Sequence, residues 1–492
     1  MSTAAGVGER GPDAADALLE REHNLEFLDG LLAGVRSESE GRVALVGGEA
    51  GVGKTTLVRR FCDRRPRSVR LLWGACDPLF TPRPLGPFLD MADVGLGDLV
   101  ERGARPYEIA AALLGEHGTD AATVVVLEDI HWADEATLDV LRLVARRVRT
   151  APVMVLATYR DDALARSDQL RIVLGELATA QTISRLKLEP LSPDAVASLS
   201  APHGVDADEL YRRTGGNPFF VTEVLAAGQV RIPPTVRDAV LARAARLSGA
   251  AARTLLEAVA VVAPHAELWL LEAIAADTIE HLEECLASGM LVPLPVGVAF
   301  RHELARLAIE DSLSPRRKLA LHRAALAALA ASPHRSADLA RLAHHAEAAG
   351  DGAAVLEFAP EAARYASSRG AHREAAAQYA RALRFAEELA PARRAALLER
   401  RSYECHLTEQ YQEAIAAQQL ALQCHREVGD RANEGNALRW LSRVLWFDGQ
   451  VGAAREAGHQ AATLLESLEP GRELALAYAN LAQLCMNAEN VA

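Results

Sequence analysis

The chain has 492 residues, half of them hydrophobic but only 5% aromatic, and a formal net charge of −13. That length exceeds one core and implies three or four domains of ~100 to 200 residues, while an Ala-rich, aromatic-poor make-up favours close-packed helices over sandwiches and barrels. The acidic balance excludes a surface that grips nucleic acid as a whole, and no apolar run reaches the ~18 residues of a membrane span.

Residues 1–15 are small, polar and Gly/Pro-containing, and are expected to be disordered. From 16 to 188, helical patterns alternate with short apolar runs: "RVALV" (42–46), "VRLLW" (69–73), "TVVVL" (123–127), "PVMVLA" (152–157) and "ISRLKL" (183–188). Alternation of this kind predicts βαβ units around a buried parallel sheet.

Directly after the first run comes "GGEAGVGKTT" (47–56), which satisfies G-x-x-x-x-G-K-[ST] as Gly48, Gly53, Lys54 and Thr55. Gly48, Gly51 and Gly53 let the backbone approach a polyphosphate and aim N–H groups at it, and the following helix adds its positive end. Lys54 is expected on the β and γ phosphates and the Thr55 hydroxyl on Mg²⁺, with Val52 and Thr56 completing the nucleotide-contacting loop. The arginines that follow (Arg59, Arg60, Arg64, Arg65, Arg67, Arg70) read as the solvated end of that helix.

"VVVLEDIHWAD" (124–134) is an apolar strand ending in two carboxylates, expected beside the phosphate loop. Paired acids there hold Mg²⁺ and orient a water in nucleotide hydrolases. Glu128 is assigned to the metal, through a water, and Asp129 to the attacking water, although Glu-then-Asp inverts the usual order and the two roles can exchange.

Beyond residue 189 the strands thin out. Residues 189–245 predict a helical segment punctuated by "TGGNP" (214–218) and "IPP" (232–234), and the short runs "LVPLP" and "VAF" within 246–332 suggest a small winged unit. Over 333–492, "HREAAAQYARAL" (372–383), "YQEAIAAQQLAL" (411–422) and "VGAAREAGHQAA" (451–462) recur at offsets of 39 and 40 residues, which predicts an all-α solenoid of helical hairpins. The array is expected to be incomplete, because "LALAYANLAQLCMNAENVA" stops where a turn between paired helices belongs. Six scattered cysteines form no metal-spaced pairs and read as reduced core thiols of a cytoplasmic protein.

Taken in order, "LLERE" (18–22), "GEAGVGKTT", "LLWGACDPL" (71–79), "VVVLEDIHWADEATLDVL", "ATYRDD" (157–162), "TGGNPFFVTEVL" (214–225), "IPPTVRDAVLAR" (232–243) and "FRHELAR" (300–306) resemble the signal-transduction ATPases with numerous domains, in their branch of large LuxR-type ATP-dependent transcriptional regulators. The resemblance implies an AAA-like ATPase, a helical lid, a winged helix, a tetratricopeptide-like sensor and a C-terminal LuxR-type helix-turn-helix. By position it places Arg21 beside the adenine, Arg160 as a sensor of the γ phosphate, Pro218 over the adenine and His302 on the β phosphate of ADP. This chain has Glu20 where the family pattern often has Gly, and no helix-turn-helix is visible in its 492 residues, so DNA binding is implied only through a missing C-terminal domain.

The expected function is an ATP-binding, slowly hydrolysing switch, a weak ATPase serving regulation. ATP/ADP and Mg²⁺ are its cofactors, a small molecule or protein its inducer on the solenoid, and an ATP-dependent homo-oligomer its output. An origin-recognition-like AAA ATPase acting on DNA is the first alternative, disfavoured because Arg253 is the only Lys or Arg between residues 247 and 300. A constitutive P-loop hydrolase or kinase is the other, and no dedicated second pocket of polar residues supports it.

Overall fold

The computed structural model describes residues 18–79, 81–91, 95–115, 122–162, 164, 168–178, 180–227, 235–262, 265–333 and 338–489. The segment read as disordered (1–15) and the helix-punctuating "IPP" (232–234) lie outside the described residues. Two compact units form: one from Met1–Pro78, Gly86–Ala133 and Leu138–Ala328, the other from Leu79–Leu85, Asp134–Thr137 and Leu329–Ala492.

The first unit is built on a five-stranded parallel sheet of order β2-β3-β4-β1-β5, comprising β1 (Arg42–Gly47), β2 (Arg70–Ala75), β3 (Thr123–Glu128), β4 (Val153–Thr158) and β5 (Ile183–Lys187). All six residues of β3 and of β4 are buried. Covered faces on both sides explain their uninterrupted Val/Leu runs. Helix α1 (Glu22–Glu38) buries Leu25, Leu28, Leu32 and Val35, the i, i+3, i+7 and i+10 positions of one face, and α2 (Lys54–Arg64) buries Leu57, Val58 and Phe61. These side chains join Ala44, Val46, Val124 and Leu156 in one core. Each fully buried Leu, Val or Phe contributes about 1.5–3 kcal/mol.

β3 is not the hydrogen-bonded neighbour of β1 that its acids suggested. β4 lies between, pairing Val155 with Val43 on one side and Val125 on the other. The phosphate loop and the acid pair therefore stand two strand spacings apart, about 10 Å, with the end of β4 between them.

After the sheet, three helices (Pro193–Ser200, Ala207–Thr214 and Pro218–Ala227) share a core of Leu191, Val196, Leu210, Phe220, Val221 and Val224. Ser192 and Asp206 cap the first two by accepting from the backbone N–H groups of Ala195 and Glu209. Farther on, after helix Ala250–Val262, β6 (Ala266–Glu267), β7 (Leu291–Leu294) and β8 (Gly297–Phe300) make an antiparallel sheet of order β6-β8-β7, with helices Leu268–Ala275 and Leu282–Ala287 connecting β6 to β7. Gly297 is required where β8 meets β6, since a Cβ would lie 2.1 Å from the Ala266 carbonyl oxygen.

In the second unit, helices His372–Leu383, Tyr411–Val428 and Val451–Glu466 alternate with Pro391–Leu407, Arg431–Phe447 and Arg472–Glu489. Their starts coincide with the recurring sequence segments. Small residues let the helices approach closely: a Cβ on Gly435 would lie 2.5 Å from Leu465 Cγ, and Ala414, Ala437, Ala454 and Ala461 are fully buried. Two short segments complete this unit's core. Gln378 and Arg381 both donate to the Thr81 hydroxyl at 2.9 Å, and Glu135 N donates to Glu374 Oε1 at 3.2 Å. Among the cysteines five are buried as expected, but Cys485 is exposed on the last helix.

Candidate nucleotide site

The loop between β1 and α2 has backbone only glycine tolerates well. Gly48, Gly51 and Gly53 have φ of +150°, +83° and +99°, the region where a Cβ is strained. Space is also short: a Cβ on Gly51 would meet Asn217 Oδ1 at 2.8 Å and Phe219 Cβ at 2.9 Å. Val52 is buried beneath the loop, while Thr55 is half-buried and Thr56 exposed on the first turn of α2.

Lys54 Nζ donates to the carbonyls of Gly48 and Glu49, each at 2.8 Å. Burial lowers its amine to about 8 from the usual 10.5, with Arg160 adding to the shift and Asp129, Asp162 and Asp161 opposing it. The carboxylates share this low-dielectric environment. Burial raises the Glu128 carboxyl above its ordinary value, and nearby Thr55 opposes that rise. Burial raises Asp129 too, while the charges of Arg160 and Lys54 pull it back. Asp129 adopts left-handed backbone (φ 53°), and its N–H donates to Thr158 Oγ1 at the end of β4, at 2.9 Å. Thus the end of β4 braces Asp129 through Thr158, and Arg160 just beyond the strand supplies the charge that acts on Asp129 and Lys54.

Glu128 Oε2 accepts from Trp73 Nε1 at 3.0 Å, and Oε1 is buried without a hydrogen-bond partner. An unpaired buried carboxylate oxygen is costly unless a cation or donor meets it. With a hydroxyl at Thr55 nearby, the donor set fits Mg²⁺, a hard cation that prefers oxygen ligands.

On the other side, Asn217 Nδ2 donates to the Ala50 carbonyl at 2.9 Å, and Phe219 N donates to Gly51 O at 3.2 Å. Arg21 Nη2 donates to Glu189 O at 2.7 Å and to Val52 O at 3.4 Å. Pro218 starts the helix between these contacts. The His302 ring lies 4.4 Å from that of Phe219, and burial lowers its imidazole to about 4, with the Arg301 charge adding to the shift. Arg21, Pro218 and His302 are thereby tied to the loop directly or through a neighbour.

Glu20 has φ of +57°, the backbone for which a Gly at this position suits, and its carboxylate compensates by accepting from Ser192 N at 2.9 Å and from the Ser192 hydroxyl. Asn217, Trp73 and Thr158 were not singled out from sequence. The first was legible only as part of "GGNP"; the other two carried no signal apart from the strands that hold them. His131 also lies here, its Nδ1 3.7 Å from Asp129 Oδ1, and burial together with the Arg160 and Lys54 charges lowers it to about 3. The arginines at the end of α2 are partly engaged: Arg65 donates to Cys62 O, and Arg64 pairs with Asp29 at 3.2 Å.

Residues 17–156 match the family of AAA ATPase domains. This part of the chain is an AAA-like P-loop ATPase domain. An uncharacterized protein of Rhizobium meliloti is 26% identical over 435 residues, which are 72% of this chain and 41% of that protein, so the chain spans about two fifths of the length of the relative it matches. Similar solved structures include a signal-transduction ATPase with numerous domains and a tetratricopeptide repeat sensor from Pyrococcus horikoshii (16% identity, 92% of this chain and 85% of that one, TM-score 0.39). A Walker-type ATPase of Pyrococcus abyssi (14%, 59% and 95%, TM-score 0.34) and the Orc1 protein of Aeropyrum pernix in complex with DNA (15%, 63% and 94%, TM-score 0.31) are others. Among the described residues no helix is long and apolar enough to cross a membrane.

Proposed function

We propose that the chain is the nucleotide-reading part of a cytoplasmic signal-transduction switch of the numerous-domains class, in the branch of LuxR-type regulators. ADP holds the resting state and ATP promotes self-association. The observation that carries this reading is the latch on the phosphate loop: Asn217 and Phe219, on a segment nearly 170 residues farther along, bond the Ala50 and Gly51 carbonyls. A loop whose carbonyls are held by a separate helical segment couples phosphate occupancy to the position of that segment. An enzyme built only for turnover has no need of that coupling.

In this reading Lys54 exchanges its carbonyl acceptors for β and γ oxygens, Thr55 and Glu128 hold Mg²⁺, Asp129 orients water and Arg160 senses the γ phosphate. Mg²⁺ supplies charge neutralisation on the phosphates. Arg21 and Pro218 bracket the adenine, and His302, kept neutral, donates to the β phosphate. Residues 189–245 serve as lid, 246–332 as a winged helix and 333–492 as a tetratricopeptide-like sensor for a small molecule or protein. DNA recognition belongs to a segment outside these 492 residues.

A ligand on the sensor shifts the balance only by its differential affinity for the two states, typically about 1–3 kcal/mol. The test is to load the full chain with a fluorescent ADP and follow its release. Asn217→Ala should speed release about tenfold, the loss of roughly 1.4 kcal/mol of latch. Unchanged release with intact folding contradicts the latch.

A further inference from the structure

Trp73 is an aromatic side chain that bonds directly to one of the two site carboxylates. Trp73 sits on β2 at the edge of the sheet, in register with Val126 of β3. Side chains alternate along a strand, so Glu128, two residues beyond Val126, projects from the same face and lies diagonal to Trp73. The indole Nε1 donates to Glu128 Oε2 at 3.0 Å.

An indole N–H is a donor only, so it satisfies a carboxylate oxygen without competing for a metal. It also selects between the two oxygens. Oε2 is engaged and Oε1, buried without a hydrogen-bond partner, is left over. The ring itself is steadied from α2, where the Arg59 guanidinium lies 5.9 Å from its centroid, within cation–π range. Arg59 and Thr55 are one helical turn apart on α2, so a single helix carries both the expected metal ligand and the clamp on the group that orients the other ligand.

We propose that Trp73 is a positioning residue for the metal: its N–H fixes the Glu128 carboxylate so that Oε1 is the oxygen presented to Mg²⁺. This rests on the reading of Glu128 as the metal-side carboxylate. Without the N–H the carboxylate can rotate, and the metal must order it on binding.

The experiment is calorimetric binding of ADP to the full chain across a Mg²⁺ titration, with an EDTA arm. Trp73→Phe keeps an aromatic ring and removes the donor. It should raise the Mg²⁺ midpoint about tenfold, as expected for losing a hydrogen bond to a charged group, while ADP affinity in EDTA stays at the wild-type value. Glu128→Gln should raise the midpoint as well, and the double variant should be no worse than Glu128→Gln alone. Site-specific benzothienylalanine at position 73, which exchanges N–H for sulfur at nearly the same shape, should reproduce the Trp73→Phe shift and decides the matter if that variant folds poorly.

An unchanged midpoint in either replacement, or an equal loss of affinity in EDTA, overturns the positioning role. Failures separate cleanly. A wild-type chain that binds no nucleotide at all overturns the proposed function; one that binds ADP with no Mg²⁺ dependence overturns the metal assignment of Glu128 and this inference with it.

Discussion

The nucleotide site and the helical array reach order by opposite routes. In the site, single polar contacts join residues far apart in the chain: Arg21 reaches the Glu189 carbonyl and Asn217 the Ala50 carbonyl. In the array, a few such contacts exist, as from Gln378 and Arg381 to Thr81, but most of the order comes from small residues repeated along consecutive helices, as at Gly435 against Leu465 or the buried Ala454 and Ala461. Few, directional contacts can be made and broken as a unit, whereas many weak packing contacts yield gradually. The contrast suits a site that switches and an array that presents a surface.

Substitutions can break this contrast at either end. The largest effect is expected from Lys54→Ala, which removes the buried amine and should weaken ADP binding by more than about 100-fold in calorimetry, with the array's melting unchanged. Near-normal affinity would remove the phosphate loop from the account. Gly435→Val is the reciprocal change. It forces methyl groups onto Leu465 and should cost about 1–3 kcal/mol, read by chemical denaturation, while ADP affinity holds. An equal loss of affinity would mean that the two regions are not energetically separate.

A subtler case is Gly51→Ala, which places a methyl against Asn217 and Phe219 at a left-handed position. Strain and crowding there should cost about 1–3 kcal/mol, expressed as weakened nucleotide binding and faster release together. Weakened binding with normal release would show that the methyl blocks phosphate without disturbing the latch.

The smallest effect concerns pH. Burial lowers His302 to about 4 from the usual 6.5, so the folded form binds its proton less readily than the unfolded form. The stability this group contributes is complete above about pH 6.5 and is lost as pH falls towards 4. Between pH 6.5 and 5 the loss should be about 1–2 kcal/mol, and His302→Phe, which suits a site beside Phe219, should reduce the fall by that amount in urea titrations. Equal pH dependence in both proteins would place the titrating group elsewhere.

What could be read from sequence follows the same division. The phosphate loop was legible because its glycines, Lys54 and Thr55 act through spacing within one short stretch, and the array because its segments recur every 39 or 40 residues. Sheet order was not. β1, β3 and β4 are all buried apolar runs of like composition, and nothing local tells which pairs with which, so β4's place between the phosphate loop and the acids emerged only in three dimensions. Trp73 read as one more apolar strand residue, since its role depends on register with Val126. Asn217 sits in an evident turn, yet its partner Ala50 is 167 residues away. The left-handed backbone at Glu20 was signalled by the Gly of the family pattern, but the compensating bond to Ser192 was not.

The central claim is that the phosphate loop is the latch of a resting switch. It is tested most directly by denaturing the purified chain and quantifying the nucleotide released, with Lys54→Ala as control. Near-stoichiometric ADP from the native chain, absent from the variant, is the predicted result. A native chain that releases no nucleotide and instead turns over added ATP steadily, many times per molecule, would contradict it.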